Sequence, residues 1–164
     1  MTLVQQTKRL WELLDSVEDP EVPVISIVDL GIVRDIEIND ANMVIVTITP
    51  TYSGCPAMEY IEKGIKQCLV DNGYQLQEIK TVLHPAWTTD WLSVKGREKL
   101  KAYGIAPPVN SPNKNELFSE PKEIECPQCH SKNTKMISQF GSTACKALYK
   151  CEDCLEPFDY FKCI

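Results

Sequence analysis

Four cysteines in two closely spaced pairs carry the strongest chemical signal in the sequence. Cys126-Pro127-Gln128-Cys129 and Cys151-Glu152-Asp153-Cys154 are Cys-x-x-Cys units with 21 residues between them. A two-residue gap lets both sulfurs of one tight turn reach a common ion while nearby backbone amides donate to them. Two such turns complete a tetrahedron of thiolates, the closed geometry of structural zinc. Iron fits four sulfurs too, as a single ion or in a cluster, although clusters usually show more compact ligand spacing. The expectation is therefore structural Zn2+ on Cys126, Cys129, Cys151 and Cys154, with iron as the alternative. Cys145 and Cys163 read as further thiols close to that site.

A second candidate lies in Thr51-Tyr52-Ser53-Gly54-Cys55-Pro56, between a strand-like and a helix-like stretch. Gly54 permits a tight turn and Pro56 suits the first helical position. Cys55 then falls at about the N-cap, where free N–H groups and the helix dipole favour a thiolate. Two readings stand side by side: a thiol serving as nucleophile or metal ligand, and a small buried hydrophobe. Asp19 and Glu21 flank Pro20 in a turn. A carboxylate there can take a proton or bind metal if the turn meets Cys55, and otherwise both are solvated turn acids. His84, before Pro85, reads as structural, and His130 belongs to the cysteine tail. No Gly-rich phosphate loop, glycosidase-type carboxylate pair or Gly-x-Ser-x-Gly elbow is present.

These residues need elements to hold them. Leu10, Leu13, Leu14 and Val17 make an apolar stripe at helical spacing, and the helix is expected to stop at Asp19-Pro20-Glu21. The alternating Arg34 to Ile38 and the β-branched Met43 to Thr49 flank an Asn39-Asp40 turn and predict a hairpin. A helix from Pro56 to Asp71 presents Ala57, Ile61, Ile65, Cys68 and Leu69 on one face and stops at Asn72-Gly73. Glu78 to Leu83 predicts a third strand, and a last helix, capped by Thr89 or Ser93, runs to Tyr103. The order α-β-β-α-β-α predicts an α+β domain, a small mixed three-stranded sheet with helices on one face. In the tail, Lys135 to Phe140 and Ala147 to Lys150 predict the β hairpin of a zinc ribbon. Its Tyr149, Phe158, Tyr160 and Phe161 read as ribbon core or as a docking patch for protein. The domains expected are 1–106, a Pro-rich linker over 107–122, and the four-cysteine ribbon over 123–164.

Composition narrows the function. Of the net charge of −6, all resides in residues 1–121, with 11 Lys and Arg against 17 Asp and Glu; residues 122–164 hold six of each. An acidic domain repels phosphate backbones and the ribbon has no basic stripe, so no nucleic acid partner is expected. No signal-peptide pattern or bilayer-length apolar stretch is read, which predicts a cytoplasmic protein without a membrane partner. In that reducing compartment, paired cysteines point to metal rather than disulfides. So short a tail draws much of its folding free energy from the ion.

Asp19-Pro20-Glu21, Asp29-Leu30-Gly31-Ile32-Val33 and Thr49 to Pro56 resemble the small α+β domain of metal–sulfur cluster assembly factors. Pro85-Ala86-Trp87-Thr88-Thr89-Asp90-Trp91, Phe140 to Lys146 and Glu156 to Ile164 resemble the D-type accessory subunits of bacterial phenylacetyl-CoA epoxidase systems, over nearly the whole chain. The resemblance implies an accessory component rather than the oxygenase itself, one that helps mature or assemble partner oxygenase or reductase subunits in phenylacetate breakdown. It implies that Cys55 and Asp19 handle iron or an iron–sulfur cluster transiently, with the ribbon and its aromatic C-terminus docking the client. A stoichiometric, non-catalytic scaffold of the same complex is the alternative it leaves. His84 departs from the resemblance, since relatives commonly carry an acid before Pro-Ala-Trp.

Overall fold

A computed structural model describes residues 2–109 and 123–162. Most of the expected linker, and Cys163, lie outside the described residues. Chain contacts divide the protein into two compact units, residues 1–96 and 97–164.

The first unit begins with α1 (Leu3–Leu14). Thr2 and Gln5 cap it reciprocally, each side chain accepting from the other's backbone N–H, which answers two otherwise orphaned donors. The helix ends well short of Asp19-Pro20. Ser16 Oγ donates to the Leu13 carbonyl at 2.7 Å, the kind of local bond that competes with helix continuation. Val17 is buried beyond the helix end.

Strands β1 (Val33–Ile38) and β2 (Met43–Ile48) form the expected hairpin. They are antiparallel, with Val33 opposite Ile48 and Ile38 opposite Val44. Asn42 takes φ 59° in the connecting turn. The side chain of Asn39 accepts from the Met43 N–H at 2.9 Å. Helix α2 (Ala57–Asp71) carries the chain to β3 (Gln75–Thr81), which lies parallel to β2. The sheet order is β1-β2-β3, so the expected mixed sheet forms, with β3 starting three residues earlier than expected. Alternate residues of β2, Val44, Val46 and Ile48, are fully buried, as are Leu10, Leu14, Ile61, Ile65 and Leu69 of the two helices. The period of two on the strand and the helical spacing on α1 and α2 thus meet in one core. Cys68 joins the helices, its thiol donating to the Leu13 carbonyl at 3.4 Å.

The segment between α1 and β1 is irregular yet largely buried, and backbone bonds fasten it. Ile27 N donates to Val17 O, Ile32 N to Ile27 O, and Thr49 N to Ile32 O, at 2.9, 3.0 and 2.8 Å. Gly31, at φ 72°, sits where a Cβ would lie 2.6 Å from the Trp91 carbonyl oxygen. The Arg34 guanidinium stacks 3.6 Å from the Trp91 ring centroid. Buried Asp29 accepts from Ser93 Oγ at 2.7 Å, and Lys95 bridges Asp15 and Asp29 at 2.6 and 3.8 Å. This polar cluster fixes the start of α3 (Val94–Tyr103), which crosses the division between the units.

The second unit is more than the expected hairpin. β4 (Ile105–Ala106), β5 (Thr134–Ser138), β6 (Lys146–Cys151) and β7 (Pro157–Phe161) form a four-stranded sheet in the order β4-β7-β6-β5. β4 runs parallel to β7 and the other pairings are antiparallel. The expected boundary at residue 106 therefore falls inside the sheet of this unit, because Ile105 and Ala106 pair with Asp159 and Tyr160. Its core gathers Ala106, Ile124, Cys126, Ala147, Tyr149, Cys151 and Phe158, with Met136 and Tyr160 packed against them. Tyr149 stacks on Phe158 and meets Tyr160 edge-on. Phe161 is also buried. Tyr149, Phe158 and Phe161 are buried and Tyr160 packs partly buried against them, in line with the ribbon-core reading: one short sheet needs them to exclude water.

Candidate functional site

The two cysteine turns are built alike. Cys126 N donates to Ser131 O at 2.9 Å and Cys151 N to Glu156 O at 3.0 Å, the same five-residue closure in each. The residue after the second cysteine of each pair, His130 and Leu155, takes a positive φ of 62° and 67°. That left-handed step turns the chain back around the sulfurs. It is hidden in the sequence because neither residue is a glycine; the matching position after each pair is the signal that finds it.

All four sulfurs lie within 4.8 Å of one another. Cys126 and Cys154 sulfurs are 3.7 Å apart, and those of Cys129 and Cys151 are 3.5 Å apart. A disulfide would need about 2.05 Å. A tetrahedron with metal–sulfur bonds of about 2.3 Å has edges of roughly 3.8 Å, so the spacing suits four thiolates around one metal ion. Among the described residues this is the sole group of three or more metal-binding side chains.

The electrostatics agree. Backbone N–H groups of Cys154 and then Asp153 hold the Cys151 thiol down at about 7, against the effect of burial. At Cys154 the amide of Glu156 lowers the thiol, but burial and the three facing sulfurs outweigh it and push it up to about 12. Four thiols this close cannot all ionise without a cation to share, and a divalent ion supplies the missing charge.

Polar braces hold the turns. Asp153 accepts from Ser131 Oγ and from Asn133 Nδ2, contacts that keep its carboxyl below the usual carboxylate range. Glu125 pairs with Lys101 and with His130 Nδ1, both at 2.9 Å, and these bonds lower its carboxyl likewise. His130 thus faces a carboxylate rather than joining the sulfurs. Cys145 is corrected too. It precedes β6 and Cys151 ends it, so about 20 Å of extended strand separates them.

In the first unit, the loop after β2 leads to Cys55. Gly54 takes φ 79°, and the Cys55 carbonyl accepts from the Met58 N–H at 3.2 Å. The N-cap is Pro56, one residue later than expected, and it makes no side-chain capping bond. Cys55 is 9% exposed.

Asp19 is 7% exposed, which corrects its reading as a solvated acid. Its Oδ1 accepts from the backbone N–H groups of Glu21 and Val22 at 2.8 and 2.9 Å. Its own N–H donates to Ile25 O.

Topology brings the segment entering β1 and the Cys55 loop to one end of the sheet. β1 begins opposite the end of β2, so the segment entering β1 and the loop leaving β2 share that end. Thr49, first in the loop, is bonded to Ile32 in the entering segment. The same end holds the carboxyl ends of the parallel strands β2 and β3, since Ile48 pairs with Thr81. Crevices outside such strand ends are where open sheets with parallel strands bind ligands.

Comparisons with known proteins match both units. Residues 7–71 fit the family described as iron-sulfur cluster assembly protein, and residues 110–162 the family described as PaaD zinc beta ribbon domain. An Escherichia coli protein named as the D-type subunit of 1,2-phenylacetyl-CoA epoxidase is 48% identical over 97% of this chain and 94% of its own length. The Fe-S protein maturation auxiliary factor YitW of Bacillus subtilis is 35% identical over 55% of this chain and 80% of its own. A crystal structure of a domain of unknown function, DUF59, from Bacillus anthracis superposes with a TM-score of 0.56 at 29% identity, covering 60% of this chain and 93% of that one. The chain belongs to the PaaD family of phenylacetyl-CoA epoxidase components, an iron–sulfur assembly domain joined to a zinc ribbon.

Proposed function

We propose that this protein is an accessory maturation factor of a phenylacetyl-CoA ring epoxidase complex and not its catalytic component. The observation that carries the reading is the pairing, on one chain, of full-length similarity to a protein named as an epoxidase subunit with a domain shared by named Fe-S maturation factors. The first unit holds iron or an iron–sulfur cluster transiently and delivers it to a partner oxygenase or reductase. Cys55 is the thiolate ligand, losing its proton as the cargo binds. Asp19 orders the turn at Glu21 and Val22 and offers its carboxylate to the same cargo. A thiol buried but for a sliver of surface suits a carrier, because cargo held there is shielded from water until a client opens the site.

In the second unit Cys126, Cys129, Cys151 and Cys154 bind zinc, which supplies a structural crosslink and no redox chemistry. The full set of four protein ligands leaves no open position for a substrate. Metal analysis with an absorption spectrum on anaerobically purified protein tests both assignments. The expected result is one zinc per chain in wild type and in Cys55→Ala, with additional iron or sulfide only in wild type. Iron on the four tail cysteines, or equal iron in both proteins, would contradict the assignment.

A second reading is favoured by the Escherichia coli relative, which is named as part of the epoxidase rather than as a maturation factor. As a stoichiometric scaffold, the protein would co-purify with the oxygenase and be indifferent to loss of Cys55.

A further inference from the structure

Among the described residues, one buried side-chain oxygen has no hydrogen-bond partner. Thr49 is 1% exposed, and its Oγ1 is fully enclosed with no hydrogen-bond partner among the described residues. Buried hydroxyls are almost always bonded, and an orphan in a native fold requires an explanation. The space alone does not explain it, because valine has the same branched shape and leaves no polar atom unanswered. Nor is the residue loosely held: its N–H donates to Ile32 O at 2.8 Å. Thr49 follows β2 at the carboxyl end of the parallel pair and opens the loop that closes on Cys55. The same bond to Ile32 ties it to the segment that carries the Asp19 turn.

We infer that Thr49 is a positioning residue of the Cys55 site, its hydroxyl donating to a sulfur or oxygen ligand of iron cargo held there. The inference rests on the maturation reading and deepens it. A neutral hydroxyl is a poor iron ligand but a good donor to sulfide or thiolate, and hydrogen bonds to sulfur tune how tightly such centres are held. The orphan is then a group awaiting an acceptor that only the loaded state brings. An unsatisfied donor in the empty protein also weakens that state relative to the loaded one, which favours capture.

The test loads full-length wild type, Thr49→Val, Thr49→Ser and Cys55→Ala with ferrous iron and sulfide under anaerobic conditions. It follows iron and sulfide per chain across a titration, with the melting temperature of each unloaded protein beside it. The expected result is a loading affinity about tenfold weaker for Thr49→Val, or ~1.4 kcal/mol, near wild type for Thr49→Ser, and no loading above the tail site for Cys55→Ala. The unloaded Thr49→Val protein should melt at or above the wild-type temperature, since a structural hydroxyl bond would lower it. Loading by Thr49→Val equal to wild type, or a melting temperature several degrees lower, overturns the inference while leaving the role of Cys55 standing. Wild type loading no more than Cys55→Ala overturns both, and marks the maturation reading as the failure.

Discussion

At the residue scale, the two candidate sites differ in how far their chemistry depends on the rest of the fold. The tail cysteines carry their geometry in their spacing: each Cys-x-x-Cys pair makes its own turn, and the turns need only be brought together. Asp19 is the reverse case. Its chain neighbours suggest a solvated turn, yet its carboxylate is buried on two amide donors. Asp19→Ala should destabilise the first unit by about 2 kcal/mol, since one buried and one part-buried N–H group lose their acceptor. Asp19→Asn keeps an acceptor oxygen and should cost well under half as much, which urea unfolding of the two variants will show. If Asp19 also acts on iron, the Asn variant will fold normally and still load less.

Acid tests the tail at the same scale. Thiolates must be deprotonated to hold metal, so protons displace the ion as pH falls. The carboxyls of Asp153 and Glu125 are depressed in the folded protein. The stability they add is present above the ordinary carboxylate pKa of about 4 and is lost as pH falls through their lowered values. Metal should therefore leave before these braces do. Metal release followed with a colorimetric chelator, beside far-ultraviolet circular dichroism from pH 7 to 3, checks this: the metal and the strand signal of the tail should be lost together well above about pH 4, and retention of both down to that pH would contradict it.

At the scale of elements, the period-two and helical patterns make the hairpin, α2 and the β-α-β step readable, because half-buried elements record their burial in the sequence. What escapes is the stretch from Asp15 to Ile32, largely buried without any repeat. Its form is set by backbone bonds to distant partners and by close contacts, and no local pattern encodes those. Gly31 shows the consequence. Both its left-handed φ and the 2.6 Å approach of the Trp91 carbonyl exclude a side chain. Gly31→Ala should cost on the order of 3 kcal/mol or more in urea unfolding. Gly54 also has a positive φ but open space around it, so Gly54→Ala should cost only about 1 kcal/mol. Equal losses would mean that packing against Trp91 does not hold this end of the sheet. β4 escapes for a similar reason: a two-residue strand has no periodicity and exists only because β7 offers it an edge.

At the scale of the molecule, two units of different construction share the chain. The first has a continuous apolar core drawn from two helices and a sheet, while the second folds around a smaller cluster that includes two of its own metal ligands, Cys126 and Cys151. Removing metal with a strong chelator should abolish the strand signal and near-ultraviolet tyrosine signal of residues 123–162. The first unit should keep its own cooperative transition; a single shared transition would contradict that independence. Among the described residues, no helix is long and apolar enough to cross a membrane. On the proposed reading, a metal-stapled module and a carrier domain on one chain fit a protein that brings cargo to other components of a complex, with Cys55 as the proposed point of attachment. The most direct test produces the oxygenase and reductase together with wild-type protein or with Cys55→Ala, then measures their iron content and ring-epoxidising activity. The expected result is at least a tenfold loss of activity and under-filled iron in a client when Cys55 is replaced, with the variant itself folded and zinc-loaded. Full activity and full iron with Cys55→Ala would contradict the carrier role.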